Sequence, residues 1–163
     1  MRGFEYGSGG STLFFGRRVG EITAAEHHAG WAERVRAAAA AEGLLNVRVL
    51  HRPADETAPS QEVYVSRHAG HRGASYERYA RTIDGFDDGS LDFVFVDGRA
   101  RVACVAHAVR KVRPGGYLIL DNAERERYEA AHRLMEGHRR LVLRGVGPRV
   151  PWRFETVVWR VER

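Results

Sequence analysis

Apolar and polar positions alternate along this chain in two distinct rhythms that take turns from one end to the other. Arg2–Tyr6 is a short strand-like run ending at a glycine-rich turn. Ser11–Arg18 reads as a helix opening, with Ser8 or Ser11 available as its cap. Glu21–Glu26 is a second short strand, and Trp31–Glu42, alanine-rich and stopped by Gly43, is a helix. Val47–His51 alternates as a strand. Pro53–Gly89 is irregular apart from a helix-like patch at Ser75–Ile83. Leu91–Val96 has the apolar density of a buried strand, Arg101–Val112 reads as a helix, and Arg113-Pro114-Gly115-Gly116 reads as a turn. Tyr117–Leu120 is another apolar strand and Glu124–Gly137 another helix. Arg140–Val146 and Phe154–Val161 are β-branched and aromatic strands joined by a Gly-Pro-rich connection.

Strands separated by helices predict an α/β fold: a doubly wound, Rossmann-like, mostly parallel sheet between two helical layers, a three-layer sandwich. The last two strands have no helix between them, so they are expected to pair antiparallel at one edge. No repeat, linker or low-complexity block divides residues 1–163, so one domain is expected.

Composition narrows the class. The 163 residues are 44% hydrophobic and 29% charged, which is globular rather than disordered. No apolar run reaches the roughly 18 residues of a membrane span, and no secretory leader pattern opens the chain. Cys104 is the only cysteine, which excludes an internal disulfide and a cysteine zinc cluster. A cytoplasmic protein is the expectation. The net charge is +5, and all 26 basic residues except Lys111 are Arg, spread along the chain rather than gathered in a stripe. That distribution favours a solvated basic surface or an acidic substrate over nucleic acid.

In a doubly wound sheet a ligand sits beyond the C-terminal strand ends, where strand order reverses. Gly7, Gly9 and Gly10 follow the first strand, where a tight turn and close backbone approach are needed. Glu26 ends the second strand, 19 residues after Gly7, where an acid accepts hydrogen bonds from ribose hydroxyls; otherwise it is a surface acid. Asp97 and Asp121-Asn122 end the strands that follow. Two carboxylates and an amide oxygen suit a hard cation such as Mg²⁺. In a metal-free reading Asp97 is a base or orienting group and Asp121-Asn122 caps a helix.

Taken in order, four stretches resemble the motifs of class I S-adenosylmethionine-dependent methyltransferases. They are Glu5-Tyr6-Gly7-Ser8-Gly9-Gly10-Ser11-Thr12, Glu26-His27, Leu91–Gly98 and Val112–Asn122 with its Pro-Gly-Gly turn. The resemblance implies bound S-adenosyl-L-methionine. Glu5 would help organise its amino-acid end, and Gly7 and Gly9 would pass under its methionine and ribose. Ser8, Gly10 and Ser11 of the same loop would also bind it, Glu26 would hold the ribose, and His27 would flank the adenine. Asp55 would contact the adenine amino group, unless it only forms a turn. Asp97, Asp121 and Asn122 are similar to the metal ligands of cation-dependent O-methyltransferases, with Asp97 also the candidate catalytic residue.

Arg99 and Arg101 are candidates for an acidic acceptor group, with Tyr76 beside them in the irregular segment. His68 and His71 are spaced for a helical metal pair, but Gly70 and Gly73 favour solvated loop histidines. Cys104 and Trp31 read as packing residues, Trp31 near the glycine loop, and Trp152 and Trp159 as edge or core aromatics. The family usually places helices before the first strand. Here that strand starts almost at Met1, so the site is expected to be open or covered by a second copy in a homodimer. O-methylation of a small hydroxylated acceptor is therefore the leading expectation. A non-catalytic scaffold and an NAD-dependent oxidoreductase are the alternatives. Methylation of a nucleic-acid base is disfavoured because no Asn/Asp-Pro-Pro-Tyr/Phe stretch is present.

Overall fold

The computed structural model describes residues 1–67, 69–146 and 153–162. His68, Trp152 and the Gly-Pro connection at 147–151 lie outside the described residues. Seven strands form one sheet in the order β3-β2-β1-β4-β5-β7-β6. The strands are β1 (Arg2–Tyr6), β2 (Glu21–Glu26), β3 (Val47–His51), β4 (Leu91–Val96), β5 (Val112–Leu120), β6 (Arg139–Val146) and β7 (Arg153–Arg160). The first five run parallel. β7 joins β5 antiparallel and β6 closes the edge antiparallel to β7. The terminal pair is therefore as predicted, with the later strand on the inside.

Among the described residues five α-helices cover the sheet: α1 (Gly10–Gly16), α2 (Ala29–Ala41), α3 (Glu77–Ala80), α4 (Arg101–Ala108) and α5 (Glu129–Leu134). Side chains alternate across a strand, and β4 shows what each face meets. Phe93 and Phe95 stack with Phe15 of α1, while Val94 and Val96 are buried with Ala103, Cys104 and Val105 of α4. Phe4 and Tyr6 of β1 are fully buried, as a central parallel strand requires.

The strand boundaries other than that of β5 follow the sequence closely, and the helices depart from it. Arg113–Gly116 is not a turn ahead of β5 but part of it. Leu91 pairs with Val112 and Phe93 with Tyr117, so the intervening residues bulge out of the ladder. The helix expected over Glu124–Gly137 shrinks to a 3₁₀ turn at Glu126–Tyr128 followed by α5. The α1 cap is Gly9, whose N–H donates to Thr12 Oγ1 at 2.9 Å, rather than Ser8 or Ser11. Those two hydroxyls are used inside the cleft instead.

Around the crossing from β3 to α3 the chain is tied by two polar networks. Asp55 Oδ2 accepts from Ser75 Oγ at 2.7 Å and from the Glu77 amide at 2.6 Å, which fixes the start of α3. Tyr64 Oη sits 3.0 Å from His107 Nε2, and His107 Nδ1 lies 2.8 Å from Asp84 Oδ1. This chain of contacts clamps the 62–66 segment to α4.

Candidate functional site

The C-terminal ends of β1, β2 and β4 meet at the reversal of strand order, and a cleft of about 220 Å³ opens there. It is lined by Glu5, Gly7, Ser8, Ser11, Glu26, His27 and Asp97, joined by Trp31, Gly98 and Arg99. Most of the residues expected at a cofactor are thus brought together. Gly9 and Gly10 shape the loop without lining the cleft, and Asp55 lies outside the lining, occupied in holding α3.

Each wall has a local cause. Gly7 has φ +97°, a conformation that favours glycine, and its N–H donates to Ala25 O at 2.8 Å, bending the chain back over β2. Opposite it, a side chain at Gly98 would overlap the hydroxyl of fully buried Tyr79 and come within 3.0 Å of the Gly7 amide. The β1 and β4 turns can approach because Gly98 lacks a Cβ, while Gly7 supplies the positive φ of the β1 turn. Glu26 Oε2 accepts from the amide and hydroxyl of Ser8 at 3.0 and 3.1 Å, and Oε1 accepts from the His28 amide at 2.9 Å. Trp31 Nε1 donates to Ser8 O at 2.6 Å, fixing the loop from α2. Arg99 Nε donates to His27 Nε2 at 3.1 Å, and His27 Nδ1 lies 2.8 Å from Glu26 Oε1.

Three carboxylates converge on this cleft. Glu5 is almost wholly buried, accepts from the Ser11 hydroxyl, and accepts from Thr12 Oγ1 at 2.5 Å. Burial pushes its pKa up to about 7; the two hydroxyls pull it down, while Asp97 and Glu26 push it further up. Burial also acts to raise Glu26, but its hydrogen bonds from His27, His28 and Ser8 hold it below the usual carboxylate range. Asp97 is open to the cleft, yet the protein around it raises its pKa, with Arg101 opposing and Asp121 adding.

Asp97, Asp121 and Asn122 do meet, but around a guanidinium. Arg101 donates to Asp97 Oδ1 at 2.6 Å, to Asp97 O at 2.9 Å, to Asp121 O at 2.5 Å and to Asn122 Oδ1 at 3.5 Å. Asp121 Oδ1 is turned away and accepts from Thr156 Oγ1 at 2.6 Å. Among the described residues no group of three His, Cys, Asp or Glu side chains is placed to hold a metal. The trio therefore does not fit Mg²⁺: a fixed positive charge already fills the space between its oxygens. Nor does Asp121-Asn122 cap a helix, since α5 begins only at Glu129. Ala100 and Asn122, on either side of Arg101, both have positive φ (44° and 48°), a strained backbone that sets the fork in place.

The other candidates are redistributed. Arg101 is committed to Asp97 and is not free for an acceptor. Tyr76 is buried, its Oη 3.1 Å from His71 Nδ1, with its ring against His27, and it does not line an acceptor-sized space. Cys104 packs in the core as expected, and Trp159 is buried in it. Arg99 keeps its expected place, and beyond it a larger cavity of about 400 Å³ opens between the 62–67 segment, the start of α4 and the 125–133 segment. Arg125 and Arg127 in its wall have no distinguishing signal in the sequence, where they fall within the helix expected over Glu124–Gly137.

Neither a protein family nor a curated protein sequence matches this chain. Solved structures do. The O-methyltransferase TomG of Streptomyces achromogenes, from tomaymycin synthesis and in complex with S-adenosylmethionine, superposes with a TM-score of 0.69 at 18% identity. That match covers 99% of this chain and 73% of TomG. Cofactor-bound Rv0187 from MTB gives 0.66 at 23% identity over the same shares. An rRNA methylase from Streptococcus thermophilus gives 0.66 at 9% identity, over 99% of this chain and 87% of that one. The chain has the class I S-adenosylmethionine-dependent methyltransferase fold.

Proposed function

We propose that the protein is an S-adenosylmethionine-dependent methyltransferase acting on the hydroxyl of a small acceptor. The convergence of Glu5, Glu26 and Asp97 on one glycine-loop cleft carries this reading. The same fold and turn serve dinucleotides, but a pyrophosphate brought against three carboxylates would meet repulsion at every side. S-adenosylmethionine carries a sulfonium and an ammonium, which those carboxylates match. When bound it supplies an electrophilic methyl group.

The chain's own residues divide the remaining work. The Gly7 turn allows the cofactor to lie against backbone, Glu26 accepts from the ribose hydroxyls, and Glu5 sets the negative potential at the methionine end. His27 and Trp31 flank the cleft. Asp97, held by Arg101, lies at its edge toward the larger cavity and takes the proton of the acceptor hydroxyl; its raised pKa suits a general base. Holding the two reactants in line supplies most of the rate.

Isothermal calorimetry with S-adenosylhomocysteine and with NAD⁺ tests this directly. Binding of the former in the micromolar range and none of the latter is expected. The reverse preference would establish an oxidoreductase, and no binding of either would leave a scaffold.

A further inference from the structure

The 400 Å³ cavity touches the cofactor cleft through Gly98 and Arg99, which line both. Its size falls within the range that encloses a small organic ligand. Its charge is uneven. Two rim pairs, Arg67 with Glu62 and Arg133 with Glu129, neutralise themselves at 3.1 and 2.6 Å, and Arg101 is spent on Asp97. Three half-buried guanidinium groups remain in the wall: Arg99, Arg125 and Arg127. Arg99 donates to the His27 ring at 3.1 Å and makes no ion pair among the described residues. Arg125 is 3.7 Å from Glu124, which already accepts from the Glu155 amide. Arg127 lies 5.1 Å from the centre of the Tyr128 ring and makes no ion pair among the described residues. Against them the wall offers one carboxylate outside the rim pairs, the exposed Glu126.

Half-buried guanidinium groups that the wall pairs weakly or not at all favour an anion between them, and their planar forks match a carboxylate or a phosphate. We propose that this cavity is the acceptor site and that it selects acceptors bearing a carboxylate or phosphate group, gripped by Arg125 and Arg127 while Arg99 orients them at the cofactor boundary. This rests on the methyltransferase reading and adds the acceptor's chemical class to it. The anionic group anchors the far end of the molecule, leaving the hydroxyl to point over Gly98 toward Asp97. Arg99 also touches His27, which touches Glu26, so the anchor and the cofactor cleft share one row of contacts.

The test is calorimetry on protein saturated with S-adenosylhomocysteine, using dihydroxybenzoate, phenyl phosphate and neutral catechol as probes. At least one anion should bind on the order of tenfold more tightly than catechol, with the preference shrinking as salt rises; which anion wins separates carboxylate from phosphate. The double variant Arg125→Ala/Arg127→Ala should lose that preference while keeping S-adenosylhomocysteine affinity unchanged. Equal binding of charged and neutral probes, no binding of either anion, or an undiminished preference in the variant would overturn the proposal. So would an RNA oligonucleotide that displaces the probes and binds more tightly than both. If S-adenosylhomocysteine itself fails to bind, the methyltransferase reading fails instead, and the same probes on unloaded protein still report the cavity's charge selection.

Discussion

Glu5 sits at the floor of the cleft with two hydroxyls donating to it and two other acids nearby. Its pKa of about 7 in the folded chain exceeds the value near 4.5 of an exposed glutamate. Ionising it therefore opposes folding: the contribution of Glu5 to stability is full below pH 4.5 and is lost as pH rises through 7. Across that window the cost is about 3 kcal/mol. Glu5→Gln should flatten the pH dependence of the melting temperature, raising it at pH 8 and leaving it nearly unchanged at pH 4. A cationic cofactor favours the ionised form, so binding of S-adenosylmethionine should tighten from pH 6 to 8 with proton release. Calorimetry in two buffers of different ionisation enthalpy measures that release, and Glu5→Gln should abolish it. Arg101 gives a second prediction at this scale. Millimolar Mg²⁺ should leave the wild-type melting temperature unmoved, because the guanidinium occupies the space among Asp97, Asp121 and Asn122. Saturable stabilisation by Mg²⁺ would show that Arg101 moves aside. Arg101→Met should lower stability by roughly 2 kcal/mol, since it strips Asp97 and the Asp121 carbonyl of their donor.

At the scale of elements, strands were legible and helix lengths were not. β1, β2, β3 and β4 are found where alternation and apolar density put them, because a strand's period is written in a handful of adjacent residues. α5 was overextended because Glu124–Tyr128 has helical composition but sits at a turn tied by the Ala123 amide to Glu155 O at 2.8 Å, a contact with β7 that no local pattern contains. The β5 bulge was misread because Pro-Gly-Gly is a turn signal in isolation. The glycines of the two loops also separate at this scale. Gly98→Ala drives a methyl into the buried Tyr79 hydroxyl and the Gly7 amide. It should cost about 2–3 kcal/mol and abolish S-adenosylhomocysteine binding. Gly10→Ala meets nothing within 4 Å at the first position of α1 and should be neutral or slightly stabilising. Thermal melts and calorimetry on the two variants check the contrast, and equal losses would contradict it.

Across the whole molecule, two spaces of different charge share one wall. The smaller gathers carboxylates at the ends of β1, β2 and β4, and the larger gathers arginines from the start of α4 and the 125–133 segment. On the proposed reading the arrangement would separate a cationic cofactor from an anionic acceptor by electrostatics, with Gly98 and Arg99 lining both spaces. No helix among the described residues is long and apolar enough to cross a membrane. Because the cleft is assembled from three strand ends and α2, a ligand in it binds the folded state alone. S-adenosylhomocysteine at about a hundred times its Kd should add about 2.7 kcal/mol and raise the melting temperature by roughly 5–10 °C. NAD⁺ at the same concentration should leave it unchanged. Differential scanning fluorimetry reads both.

The sequence by itself determined the parallel sheet, its antiparallel end and the glycine-loop cleft with Glu5, Glu26 and Asp97. Strand periodicity and the turn after β1 are local properties, and strand order then carries those residues to one place. Tertiary structure alone decided the rest. It placed a guanidinium where three oxygens had suggested a cation, withdrew Asp55 and Tyr76 into supporting contacts, and turned Arg125 and Arg127 into a cavity wall. Those outcomes depend on which side chain reaches a shared space first. That is set by packing between segments far apart in the chain, and neighbouring residues carry no record of it.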